Sequence, residues 1–185
     1  TVNQSTQITA LTFPTLGNRA FLQQAVFRLN AQGGGALGAS DALTITSLTV
    51  TFRQPLDVKF VGNQTTIIEP EESDFPEMDI EVECARFDAA TDDFFAGHRN
   101  VTKYKADLTF TGGTIDATSS YGLLFQFPHL FVTEYVAAVP GGAGQVAPRL
   151  RLSALSTTTA PTGMTGVTVP LRVTTTGTMT TNPFA

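Results

Sequence analysis

The sequence has no tryptophan, one cysteine and two histidines among its 185 residues. A single cysteine rules out any disulfide within the chain. Cys84 lies in an apolar row, so packing is its expected role rather than nucleophilic or redox chemistry. Two histidines and one thiol are too few for a zinc-type ligand set, or for the nucleophile, base and orienting group of a hydrolase. His98 and His129 are therefore read as structural. Without tryptophan to stack on sugar rings, paired carboxylates acting on glycosides are disfavoured. No D-x-[DN]-x-[DN]-G loop is present to hold calcium. No catalytic, cofactor-binding or metal-binding residue is assigned, and the chain is not read as an enzyme.

Basic charge is also scarce: 11 Lys and Arg stand against 16 Asp and Glu, for a net charge of −5 and a pI near 4.9. The basic residues do not cluster, which argues against an ordinary DNA- or RNA-binding module. Long apolar runs are missing too. The most apolar window, Tyr121–Val139, is broken by Gln126, Pro128, His129 and Glu134, so no membrane insertion is expected. Charged residues are only 15% of the chain, while Thr, Gly, Val, Ala and Phe are frequent. That is a strand-and-turn composition, in a chain long enough to bury a core without staples.

What the sequence does have is an acidic tract, Glu69–Arg99. It holds Glu69, Glu71, Glu72, Asp74, Glu77, Asp79, Glu81, Glu83, Asp88, Asp92 and Asp93, with Arg86 alone against them before His98 and Arg99. Within it Met78, Ile80, Val82 and Cys84 alternate with Asp79, Glu81 and Glu83, which predicts a strand with one core face and one carboxylate face. The following FDAATDDFFAGHR predicts the one helix, about Asp88 to Gly97. Asp88 would be its N-cap, Asp92 and Asp93 would lie in its early turns, Phe94 and Phe95 would pack, and Gly97 would end it.

Before the tract, Thr1–Gly17 reads as an edge strand or an arm, and Ala20–Asn30 fits helix or strand, with its second half favouring strand. Gln32–Asp41 (QGGGALGASD) lacks the Lys-Ser or Lys-Thr of a phosphate loop and reads as a flexible hairpin loop. Leu43–Asp57 (LTITSLTVTFRQPLD) reads as a strand with Leu48, Val50 and Phe52 on one face and Thr49, Thr51 and Arg53 on the other, ended by Pro55. After the helix, Tyr104, Ala106, Leu108 and Phe110 alternate with Lys103, Lys105, Asp107 and Thr109, with a turn expected at Gly112-Gly113. An aromatic strand follows over Ser120–Val139, in which Pro128 marks an edge or a bulge, then a strand over Gln145–Leu155. The last strand places Val167, Val169, Leu171 and Val173 on one face. The chain divides into residues 1–42 (arm, ambiguous segment and Gly-rich loop), a β core with its helix over 43–176, and a tail over 177–185, all within a single domain.

FRQPLD at Phe52–Asp57, EPEESDFPEMDIEVECARFD, DDFFAGHR, KADLTFTG from Lys105, FQFPHLFV from Phe125 and a closing PLRV together resemble the tail tube proteins (major tail proteins) of long-tailed phages with non-contractile tails. The order and spacing of these segments, covering about Leu43 to Thr176, carry the resemblance. It implies a β-sandwich or barrel-like fold with a flanking helix. It also implies strands that join those of neighbouring subunits, and self-assembly into rings, typically hexameric, that stack into a tube. It further implies tape-measure and tail terminator or tip proteins as partners, DNA only as transported cargo, and a place in the virion tail after assembly in the host cytoplasm. Asp79, Glu81 and Glu83 are candidates for the lumen, where carboxylates would repel DNA; the same row facing outward is the alternative. Candidate contacts between rings are Gly33, Gly34 and Leu37 in the Gly-rich loop and Glu69, Glu71, Glu72 and Asp74 in the Gly62–Pro76 loop, both too long for tight hairpins. A monomeric β-sandwich binding module, such as a virion decoration protein or a secreted adhesin-like domain, fits the composition equally well.

Overall fold

Antiparallel strands make up most of the computed structural model, which describes residues 22–57, 71–72, 74–87, 89–115, 117–118, 120–137, 144 and 146–177. The Thr1–Gly17 segment, Glu69, the proposed cap Asp88 and the tail from residue 178 lie outside the described residues. Ten strands are described, β1 (Ala25–Ala31), β2 (Ala42–Leu43), β3 (Ile45–Arg53), β4 (Leu56–Asp57), β5 (Glu71–Glu72), β6 (Glu77–Cys84), β7 (Lys103–Thr114), β8 (Ser120–Val136), β9 (Arg149–Ala154) and β10 (Arg172–Thr176), with one helix, α1 (Ala89–Arg99). Eight strands form one sheet in the order β2-β1-β7-β8-β9-β6-β3, with β10 branching from β8, and β4 pairs with β5 apart from it.

The alternation of β6 is realised as read: Met78, Ile80, Val82 and Cys84 are buried and the residues between them are not. They share one core with Phe27 and Leu29 of β1, Ala106 and Leu108 of β7, Phe127 and Leu130 of β8, and Leu150 and Leu152 of β9. Strands from both ends of the sheet meet in this core, so the sheet curls around a single apolar interior. β8 is long enough to serve two neighbours on one edge, pairing with β10 through Gly122–Gln126 and with β9 through Leu130–Val136. At the changeover, Phe127 pairs with Ala106 and Leu130 with Tyr104. Two residues, Pro128 and His129, therefore stand opposite one, which is the bulge the proline suggested.

α1 packs on β8, with Phe94 edge-on to Tyr104 at 5.7 Å and the His98 Nδ1 donating to the Val132 carbonyl at 2.9 Å. His129 Nδ1 likewise donates to the Ser156 carbonyl at 3.1 Å. Gly97 does not end the helix. Its missing Cβ is what admits the Tyr104 ring, and the helix runs on to Arg99. Termination falls to Val101, at φ 52°, with the Thr102 amide donating to the Gly97 carbonyl at 2.9 Å and the Val101 amide to His98 at 3.3 Å. That bonding pattern is the Schellman closure, with a β-branched residue where glycine is usual. Val101 is 67% exposed, so its side chain offers little packing in return for the strain. Val101→Gly is expected to raise stability by about 1 kcal/mol, read as a higher urea midpoint at unchanged m-value.

Two further readings are corrected. Gly112 and Gly113 lie inside β7 and the turn comes after Thr114; a Cβ on Gly112 would stand 3.1 Å from Tyr121 Cβ on the paired strand. The last strand begins only at Arg172, because Gly163 and Gly166 take positive φ and the chain turns through Pro161–Val167. Val167 is buried in that turn while Val169 and Val173 are exposed, so the three share no face.

Candidate functional site

β3, β6 and β9 lie side by side, and their outward residues form one polar face. Across β3 and β6, Thr49 stands opposite Glu81, Thr51 opposite Asp79 and Arg53 opposite Glu77; across β6 and β9, Glu81 stands opposite Arg151 and Glu83 opposite Arg149. The row Asp79, Glu81 and Glu83 is therefore brought together as expected, but it is not a bare acidic surface. Arg151 leans along the strand to donate to Asp79 Oδ2 at 2.6 Å, Arg149 reaches Glu81 at 3.4 Å, and the Ser47 hydroxyl donates to Glu83 at 3.4 Å. Hydrogen bonding to Asp79 holds the Arg151 guanidinium above its ordinary pKa. Glu134, opposite Arg151 on β8, adds a carboxylate, so five carboxylates face three arginines and the surface stays acidic overall. Exposed pairs of this kind contribute little stability, about 0–1 kcal/mol each. Their consequence is that Arg149 and Arg151 are occupied.

β3 ends the sheet, with one edge free among the described strands. Period 2 placed Val50 and Phe52 on the core side of β3, and they are on that side, but at the sheet margin the core thins. Phe52 is 58% exposed and Phe75, just before β6, is 86% exposed. Beneath the edge lies an apolar groove of about 430 Å³ lined by Val50, Phe52, Pro76, Met78, Ala154, Pro170 and Leu171. The sequence showed the apolar face of β3 but not that the strand would lie outermost.

The candidate loop residues are partly described. Gly33 is exposed, whereas Gly34 and Leu37 are half-buried. The loop is a hairpin connection between β1 and β2, as read, but it is tied down. The Asp41 carboxylate accepts from Asn30 Nδ2 at 2.8 Å and from the Gly38 amide at 2.7 Å, and a 3₁₀ turn closes the loop at Ala39–Asp41. In the second loop Glu71 and Glu72 form β5, Asp74 accepts from the Phe75 amide at 2.8 Å, and Glu69 is not described. Among the described residues no group of three or more His, Cys, Asp or Glu could hold a metal ion, and no helix is long and apolar enough to cross a membrane.

No protein-family model matches the sequence, and no curated protein matches it. Solved structures do share its fold. A chain of an extracellular contractile injection system, in the PVC sheath–tube complex in its extended state, aligns with a TM-score of 0.54 at 11% identity, covering 85% of this chain and 93% of that one. The SPP1 tail tube aligns with a TM-score of 0.52 at 11% identity over 74% of this chain and 76% of that one. The anti-feeding prophage cap, which terminates the AFP tube, aligns with a TM-score of 0.52 at 10% identity over 95% of this chain and the whole of that one. The likeness reaches a contractile system, so it does not separate contractile from non-contractile tails.

Proposed function

We propose that this chain is a structural, non-enzymatic subunit that assembles with copies of itself into stacked rings, six subunits to a ring, forming the tube of a phage-type tail. The observation that carries the reading is the nine-residue strand β3, left open at the sheet margin beside an apolar groove in a fold of the tail-tube kind. Natural proteins shield such edges with lysine, proline or bulges. β3 has neither lysine nor proline, its one register irregularity lies at Ile45–Ser47, and the regular stretch beyond it carries Val50 and Phe52 exposed, as a strand does when a neighbouring subunit completes it. Tape-measure, terminator and tip proteins are the further partners in this reading, and the virion tail is its location.

The polar face of β6 and β9 is assigned to the bore. Arginines already bound to Asp79 and Glu81 are not free for phosphate, and the surplus of carboxylates repels it, so DNA passes as cargo without being held. Replacing Asp79→Ser and Glu81→Ser together frees Arg151 and Arg149. Tubes of that variant are expected to retain DNA, with log affinity falling against log salt with a slope of about −2 for each subunit in contact, where wild-type tubes retain none. Variant tubes that still ignore DNA would place this face on the outside.

Negative-stain micrographs over a concentration series, with sedimentation velocity, test the assembly itself. Hollow tubes are expected from the wild type and a folded monomer from Phe52→Asp. A wild type that stays monomeric at every concentration would favour the monomeric binding module instead.

A further inference from the structure

Lys105 is fully buried, at 0% exposure, in the middle of β7. On the same side of β7, Asp107 two residues along is buried and Thr109 four along is half-buried, so the side of β7 that alternates away from the main core is largely covered. The cover comes from two stretches far apart in sequence: the Gly-rich loop 32–41 and the turn segment 157–168. The second is closed by the Thr157 amide donating to the Thr168 carbonyl at 2.9 Å, and Met164 and Val167 within it are buried.

Three cationic side chains rise from the strands to the backbone of these two stretches. Arg28 donates to the Leu37 carbonyl at 3.4 Å, and Arg172 to the Thr165 carbonyl at 3.3 Å, each holding one stretch. Lys105 holds both, its Nζ donating to the Gly34 carbonyl at 2.9 Å and the Thr162 carbonyl at 3.0 Å. The stretches touch directly at the same place. Gly163, at φ +85°, comes so close that a Cβ there would lie 2.9 Å from Ala36 Cβ. The charged group acting on the ammonium is Asp41 on the loop, and the Arg28–Asp107 pair lies two residues along β1 and β7 from the Asn30–Lys105 pairing. Burial lowers the pKa of Lys105, partly opposed by Asp41.

We infer that Lys105 is a positioning residue that rivets the Gly-rich loop to the 157–168 segment, so that the two present one rigid surface. Resting on the tube reading, the contact between stacked rings then includes Thr162 and Thr165 as well as the Gly-rich loop, and depends on a side chain that reaches no surface. A buried ammonium with two carbonyl acceptors suits this task because removing it leaves two acceptors unsatisfied in two loops at once.

The test is amide hydrogen exchange on the full chain, wild type against Lys105→Met. The amides of Gly34 and Asp41 in one stretch, and of Met164 and Val167 in the other, are expected to exchange about tenfold faster or more, together, while the β7–β8 ladder keeps its protection. A change in one stretch alone, or in neither, overturns the rivet. Should Lys105→Met fail to fold, nitrogen-15 NMR of the wild-type lysine decides. A slowly exchanging ammonium signal coupled across hydrogen bonds to the Gly34 and Thr162 carbonyls supports the inference, and a rapidly exchanging one overturns it. Assembly is scored separately. A folded Lys105→Met is expected to need about tenfold more protein to form tubes, and wild-type assembly at loosened loops would overturn the contact. A wild type that never assembles refutes the tube reading and leaves the exchange result to judge the rivet.

Discussion

Gly97→Ala is expected to destabilise the chain by about 2 kcal/mol, although alanine is the better helix former. On an exposed helix the exchange would gain about 1 kcal/mol. Here the new Cβ would stand 1.7 Å from the Tyr104 hydroxyl oxygen and 2.7 Å from the ring carbon that carries it. The ring has no room to retreat, since Tyr104 is buried in the core and Phe94 of the same helix packs edge-on against it. Either α1 lifts from β8, weakening the His98 bond to Val132, or the ring leaves its rotamer, and overpacking of this kind costs about 1–3 kcal/mol. Urea unfolding of Gly97→Ala, Tyr104→Phe and the double variant checks it. The double variant is expected to lose less than the two single losses combined, because the hydroxyl that clashes is the atom removed. Gly97→Ala as stable as wild type would mean that helix propensity outweighs the contact.

Gly97 shows where the sequence is legible and where it stops being so. A glycine after a helical apolar pair reads as a terminator by local rule, and only the position of Tyr104, on the strand beside the one the helix packs on, gives it its real work. β6 was legible because its signal is local: four apolar residues at period 2 have one way to be buried. β3 has the same period, but its exposure follows from its place in the sheet, which no window of sequence contains. The carboxylates of the polar face could be read off as a row. Their partners could not, since Arg151 lies 72 positions from Asp79 and meets it only through the pairing of β6 with β9. The polar side of β7 was misleading in the opposite sense. Lys105 and Asp107 alternate with core residues as a solvated face does, and are buried because two loops that carry almost no charge of their own fold over them.

Asp107→Ala is expected to cost about 3 kcal/mol. Asp107 is 5% exposed and stands directly opposite Arg28 in the β1–β7 register. Its two oxygens accept from Arg28 Nε at 2.7 Å and from a terminal guanidinium nitrogen at 2.5 Å, a bidentate geometry that fixes the arginine as well as neutralising it. Removing the carboxylate leaves a guanidinium with roughly a quarter of its side chain exposed, without a counter-charge and still held by the Leu37 carbonyl. A fully buried pair broken from one side costs about 3–5 kcal/mol, and partial access to water puts this one at the lower end. Arg28→Met combined with Asp107→Leu removes both charges and is expected to recover more than half of that loss in urea midpoint. The recovery should not extend to the Gly-rich loop, because Leu37 loses its donor in the double variant. Faster exchange at the Gly38 and Asp41 amides would then persist in a chain of nearly restored stability. If the double variant were as unstable as Asp107→Ala alone, the loss would have to lie in packing around the pair rather than in the stranded charge.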